Sequence, residues 1–253
     1  MLEQTVHFSS FDLAPDHHPR PGAILRYMQQ LAREHMNTFG HTYYSMLEDG
    51  MVFILTRLSM RRITAVPGEK DLRLVTGANG VHGASFYRSF ALYDGEELLL
   101  TCHTEWVLLD FANRRILRPT KLNWDAPEDP VLCGDLTAPR LAPREGGEAF
   151  ARDDRKVYLS MLDENDHLNN CVYADLIFDI LPPEFDWREL SLNFLKEVRR
   201  GETLSLVAER FEDAALVTGT LPDGAVSFRE FGPGTTLCGL IRRIDPSVET
   251  IDL

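Results

Sequence analysis

The chain has 253 residues, 44% of them apolar and 9% aromatic, which suits one large packed domain or two smaller ones and excludes a disordered or collagen-like protein. A formal net charge of −13 opposes nonspecific binding to nucleic acid or to an anionic membrane surface. No apolar run approaches the length of a membrane span, so no membrane insertion is expected.

Residues 3–11 read as a short strand, and Pro19 and Pro21 introduce a helix over 21–39, where proline's missing N–H falls harmlessly in the first turn. Ile24, Met28, Leu31 and His35 recur at helical spacing as one apolar stripe, with Gly40 as the stop. His35 reads as a core histidine bonded to a backbone carbonyl, because no carboxylate or nucleophile accompanies it at a fixed spacing. A β-rich tract follows. Val52, Ile54, Leu58 and Met60 read as one strand face, DLRLVTG as a second strand, and SFYRSFALYDGEELLLTCHTEWVLLD as a hairpin whose Asp94-Gly95 supplies the positive φ of a tight turn. His82 and His103 in this tract read as structural or exposed.

Residues 119–150 carry Pro119, Pro127, Pro130, Pro139 and Pro143 with Gly134, Gly146 and Gly147, the composition of a linker that neither strand nor helix can cross. The expected organisation is therefore a first half over 1–118, a linker over 119–150 and a second half over 151–253. After the linker the earlier order returns: a strand over 156–162, a polar loop, a helix over 169–181, then strands near 188–198, 203–210, 214–221, 225–231 and 235–243. VPGEKDLRLV resembles RRGETLSLV, with Gly68 set against Gly201, and FDLAPDHH parallels LDENDHLNN. The first loop has Asp12 and His17 but no Asn-x-His step, which predicts one active site per chain, in the second half.

The chemical signal concentrates in SMLDENDHLNNCVYADLIFDIL, residues 160–181. Asp163, Asn165 and His167 alternate, Asn169 and Asn170 follow, and an apolar helical pattern begins with Val172, Leu176 and Ile180. Either Asn is a good N-cap, and the free N–H groups of a first turn favour developing negative charge, such as the oxyanion formed when a carbonyl is attacked.

D-x-N-x-H-x-N-N-x-x-Y, standing here as Asp163, Asn165, His167, Asn169, Asn170 and Tyr173, resembles the active-site motif of acyl-acyl-carrier-protein (acyl-ACP) thioesterases, the plant-type family with bacterial members. LSLNFLKEVRRGETL, reaching residue 204, is similar to that family's strand carrying a catalytic glutamate, here Glu197, and WVLLDFANRRILRP is similar to the end of its first repeat. The resemblance implies an α+β fold of two tandem hotdog repeats, each a long helix wrapped by a curved antiparallel sheet. It implies a catalytic set of Asp163, Asn165, His167 and Glu197 that releases a fatty acid from acyl-ACP. Asn169 and Asn170, the helix-stripe residues Ile24, Met28 and Leu31, and the basic pair Arg199 and Arg200 are the candidate substrate contacts.

Plant members typically carry Cys directly after that glutamate, whereas Val198 stands here, so a thiolate mechanism at that place is impossible. Cys171, beside the motif, reads as a small buried helix residue. Whether Glu197 activates water or attacks to form an anhydride is left open by spacing alone. Acyl-CoA is an alternative substrate, and a non-catalytic acyl-thioester-binding module is an alternative function. Hotdog hydratases carry D-x-N-P-x-H; here His167 comes one residue sooner after Asp163 and no proline intervenes, which disfavours hydration.

ACP is acidic, so docking calls for a local basic patch: Arg61 with Arg62, Arg114 with Arg115 and Arg118, or Lys196 with Arg199 and Arg200. His17 and His18 are adjacent and His167 is distant, so no metal site and no cofactor are expected. The scattered Cys102, Cys133, Cys171 and Cys238, with no apolar targeting core near the N-terminus, predict reduced thiols in a cytoplasm, and oligomeric state, monomer or homodimer, is left open.

Overall fold

The computed structural model describes residues 1–122, 127–142, 145–182, 185, 187–211, 214–222 and 235–243, the last stretch as backbone. These form two compact units, Met1–Pro139 and Arg140–Leu253. No helix among the described residues is long and apolar enough to cross a membrane.

The first unit runs β1 (Leu2–His7), α1 (Pro21–Thr38), α2 (Tyr43–Glu48), β2 (Met51–Arg62), β3 (Asp71–His82), β4 (Ser85–Asp94), β5 (Glu97–Asp110) and β6 (Arg115–Ile116), closed by a 3-10 turn at Pro119–Leu122. Its antiparallel strands lie in the order β1-β3-β4-β5-β2, with β6 on β5. Extended Arg20 delivers the chain to Pro21 at the first position of α1, whose fixed φ starts the helix. The face packed on β1 and β3 buries Ile24, Leu25, Met28, Leu31 and Ala32, each side chain larger than alanine contributing on the order of 2 kcal/mol. Tyr27 completes the seam edge-on to Phe8, its hydroxyl donating to the His7 carbonyl at 2.8 Å. In the β4–β5 hairpin Asp94 pairs with Glu97 and Gly95 takes φ 57°, as the turn requires.

Three local expectations need correction. β1 ends at His7, short of residue 11. In β2 the pairing with β5 shifts between Leu55 and Arg57, a bulge that buries Leu55 at 2% exposure and leaves Ile54 39% exposed, off the expected face. His35 is a buried core histidine, but its Nδ1 accepts from Arg88 Nη1 of β4 at 2.9 Å rather than bonding a backbone carbonyl. Burial, helped by that guanidinium, pulls the His35 imidazole down to about 4, and burial pulls Arg88 down to about 10. Arg88 also donates to Thr76 Oγ1 at 3.1 Å, and Asp129 lies 4.0 Å from His35 Nε2. The segment bearing Asp129 is fastened to β3 by Ala78 N–H on its carboxylate at 2.9 Å. Gly77 permits this approach, since a Cβ there would stand 3.1 Å from Asp129 Cβ.

The second unit runs β7 (Glu148–Lys156), a 3-10 turn at Leu159–Met161, α3 (Asn170–Ile180), β8 (Trp187–Phe194), β9 (Thr203–Arg210), β10 (Ala214–Thr220) and β11 (Thr235–Arg243). Its antiparallel order, β7-β9-β10-β11-β8, repeats that of the first unit strand for strand. The strand expected at 156–162 instead ends at Lys156, and β8 stops at Phe194, so Glu197 lies beyond its end. The expected strand at 225–231 lies outside the described residues.

Register makes the repeat quantitative. His7 pairs with Asp71 as Lys156 pairs with Thr203, giving offsets of 149 for the leading segment (156 − 7) and 132 for the following one (203 − 71). Glu69 N–H donates to the Phe8 carbonyl as Gly201 N–H donates to that of Val157, and both residues have positive φ. The counterpart of Gly201 is therefore Glu69, one place beyond the Gly68 that sequence similarity selects. Gly68 is required for a different reason: a Cβ there would meet the His17 carbonyl oxygen at 2.7 Å.

Candidate active site

The polar stretch before α3 folds into a closed loop. Leu162 and Leu168 form an isolated bridge, Asp163 N–H donates to the His167 carbonyl at 2.8 Å, and Asp166 turns the chain at φ 61°. Asp163 Oδ1 accepts the N–H groups of Asn165 at 2.8 Å and His167 at 3.2 Å, so this carboxylate holds the loop's backbone in shape. Asn169 is the N-cap of α3, its side-chain oxygen accepting Cys171 N–H at 2.9 Å, and Asn170 is the first helical residue. Cys171 is buried.

The segment after β8 is stitched to this loop. Leu168 N–H donates to the Val198 carbonyl at 2.7 Å, and His167 and Arg199 form an antiparallel bridge. Val157 N–H donates to the Glu202 carbonyl and Gly201 N–H to that of Val157, each at 2.9 Å. The Glu202 carboxylate accepts Arg199 N–H at 2.6 Å. These bonds carry two side chains 30 positions apart (167 to 197) into contact: His167 Nε2 lies 3.2 Å from Glu197 Oε2. Both are partly open, at 21% and 24% exposure, so water can reach them. Arg199 Nη2 donates to the other oxygen, Oε1, at 2.8 Å.

Tyr173, the last residue of the motif, is buried on α3 and meets Phe194 edge-on at 5.6 Å. Its hydroxyl takes Val198 N–H, and burial, with the Asp163 and Glu202 carboxylates nearby, pushes its phenol well above the usual value. The sequence pattern contained Tyr173 without giving it a task. Its hydroxyl ties α3 to the residue after Glu197, a contact that only the fold creates.

The structure thus brings together Asp163, Asn165, His167, Asn169, Glu197 and Arg199 in one end of the second unit. Arg200 is exposed on the adjoining turn. Ile24, Met28 and Leu31 lie in the core of the first unit at 2%, 1% and 0% exposure. Of the basic clusters, Arg61 is engaged with Asp135 at 2.7 Å. Among the described residues no group of three or more His, Cys, Asp or Glu side chains is arranged to hold a metal ion.

The first unit has the same loop with different side chains. Ala14 N–H donates to the His18 carbonyl, Leu13 bridges Pro19, and His17 has φ 67°, the pattern of Asp163, Leu162, Leu168 and Asp166. By these offsets Ala14, Asp16, His18 and Ala65 stand where the second unit has Asp163, Asn165, His167 and Glu197. His18, and not His17, is the counterpart of His167; its Nδ1 lies 2.9 Å from the Val66 carbonyl.

A helix over an antiparallel sheet, occurring twice with one strand order, is a tandem hotdog fold. Solved structures share it: an acyl-ACP thioesterase from Bacteroides thetaiotaomicron is 15% identical, covering 95% of this chain and 96% of its own, with a TM-score of 0.80. A 12:0-ACP thioesterase from Umbellularia californica is 17% identical over 95% and 96% of the two chains, with a TM-score of 0.78. No curated protein gives a significant match. Residues 3–121 match the family model of the acyl-ACP thioesterase N-terminal domain and residues 145–223 that of the acyl-ACP thioesterase C-terminal domain. The chain belongs to the acyl-ACP thioesterase family, and its chemistry is of the thioester-hydrolysing class.

Proposed function

We propose that the chain hydrolyses acyl-ACP to a free fatty acid at a single site in the second unit. The 3.2 Å contact between His167 Nε2 and Glu197 Oε2, partly open to solvent, carries this reading. Glu197 takes a proton from water as the water oxygen bonds to the thioester carbonyl carbon. The oxyanion so formed is stabilised by the Asn165 side-chain amide and the N-terminal end of α3, then collapses with cleavage of the C–S bond. The departing sulfur receives the proton, leaving fatty acid and free thiol. His167 holds Glu197 in position and relays the proton, while Asp163 acts one step back by shaping the loop that presents Asn165 and His167.

Asn169 contributes through its cap and Asn170 as part of the same helix end. Exposed Arg200 fits the phosphate-bearing carrier by charge. With Ala14 and Ala65 in place of two carboxylates, the first unit is read as a repeat that has lost its site.

Release of thiol from a panel of acyl-ACP and acyl-CoA substrates by wild type, Glu197→Gln and His167→Ala tests the proposal. Each variant is expected to lose turnover by roughly 100-fold or more while its melting temperature stays near wild type. Undiminished turnover by Glu197→Gln overturns it, and faster turnover of acyl-CoA than of acyl-ACP overturns the choice of carrier.

A further inference from the structure

We propose that Arg199 is the positioning residue of Glu197 rather than a contact for the acyl carrier; this rests on the reading of Glu197 as the base. Glu197 lies beyond the last residue of β8, where ladder pairing no longer fixes the chain, and a glutamate side chain has three torsions to settle. Two contacts settle them. Arg199 Nη2 donates to Oε1 at 2.8 Å and His167 Nε2 faces Oε2 at 3.2 Å, so each carboxylate oxygen has its own partner and the plane of the group is set.

Arg199 is itself well anchored. Its N–H is held by Glu202 Oε2 at 2.6 Å, its carbonyl accepts Glu202 N–H at 3.2 Å, and its backbone bridges His167. The same backbone that delivers the guanidinium to one carboxylate oxygen therefore carries the bridge to the histidine that meets the other.

The first unit supplies an internal comparison. At the offset of 132, Ala65 replaces Glu197 and Pro67 replaces Arg199, whereas the histidine is kept as His18. The guanidinium is present where there is a carboxylate to orient and absent where there is none.

The Arg199 side chain is 60% exposed, and an ion pair so open to water adds little to stability. Its removal should therefore be felt in turnover, because a reacting group displaced by a fraction of an ångström is a poor base. Arg199→Ala and Arg199→Lys would be assayed on acyl-ACP and on the same acyl group joined to N-acetylcysteamine, a small neutral thiol without carrier or phosphate.

A positioning role predicts that Arg199→Ala loses about tenfold or more in kcat on both substrates, with KM changed by no more than about twofold and the melting temperature unmoved. Arg199→Lys should recover part of kcat on both, and millimolar guanidinium ion should partly rescue Arg199→Ala. A loss confined to acyl-ACP and expressed in KM overturns the proposal in favour of carrier docking, and unchanged kinetics overturn it outright. Glu197→Gln, run alongside, separates the two levels: if it retains turnover the base assignment fails, and if it is inactive while Arg199→Ala is normal only the positioning role fails.

Discussion

Acidification should weaken the first unit through His35, by an amount the structure allows to be worked out. The imidazole is enclosed by Arg88 of β4, by Asp129 of the following segment and by the ring of Phe39, with the α-amine of Met1 on the far side of Asp129. Because a guanidinium can only donate, His35 Nδ1 must stay unprotonated to accept from Arg88. The folded pKa, about 4, lies below the unperturbed 6.5, so between these values the unfolded chain binds a proton that the folded chain refuses. Stability therefore falls as pH drops through that window, and the loss levels off below about 4. At 1.36 kcal/mol per pH unit the penalty is about 2 kcal/mol at pH 5 and about 3 kcal/mol at pH 4. His35→Gln offers Arg88 an amide oxygen in place of the ring nitrogen and cannot titrate. Urea unfolding of both proteins from pH 7.5 to 4 should show wild type losing about 2 kcal/mol more than His35→Gln by pH 5, the contributions of other groups cancelling in the difference. Parallel profiles would refute the reasoning, because they would mean that His35 takes up its proton equally in both states.

Gly68→Ala should destabilise by about 1–3 kcal/mol, since its Cβ would stand 2.6 Å from Leu13 Cδ1 and 2.7 Å from the His17 carbonyl oxygen; an unchanged urea midpoint would show that the loop yields freely. Alkylation with iodoacetamide near pH 7.5 should leave turnover intact, because Cys102, Cys133 and Cys171 are buried and burial pushes the Cys133 thiol up to about 11. Rapid inactivation that substrate prevents would contradict this and point to Cys171. Met28→Trp, enlarging a residue 1% exposed on the packed face of α1, should destabilise by about 1–3 kcal/mol, and an unchanged urea midpoint would show that the core there yields to the larger ring.

Local rules made α1 and the β4–β5 hairpin legible: a stripe at helical spacing after a proline, and Asp94-Gly95 between two apolar arms. The same rules misplaced the strand at 156–162, because Val157, Leu159 and Met161 alternate as strand residues do, whereas the chain there makes a 3-10 turn with Leu159 65% exposed. The bulge in β2 was invisible because it is a property of its pairing with β5 and not of the strand's own residues. Arg88 was invisible for a related reason: its partners, Thr76 and His35, come from other elements, and nothing in SFYRSF marks the arginine as buried. In the site, the spacing of Asp163, Asn165 and His167 could be read directly. The meeting of His167 with Glu197 could not, since it depends on Leu168 N–H reaching the Val198 carbonyl.

The two loops explain how a fold can keep its frame while the chemistry varies. The bonds that close each loop run from main chain to main chain, Ala14 to His18 in one and Asp163 to His167 in the other, and so are indifferent to the side chain at the donor position. The Asn165 N–H is held in the second loop by Asp163, whereas in the first Asp16 accepts the His18 N–H through its own carboxylate at 3.0 Å, so a different acid supports the turn. Glu197 has no such structural duty among these loop-closing bonds, and with Ala65 in its place the strand that follows keeps the same register on the first strand of its unit. On this reasoning Glu197→Ala removes the proposed base from an intact backbone, whereas Asp163→Ala loosens the loop that presents His167. The first should abolish turnover with little loss of stability, and the second should lower both.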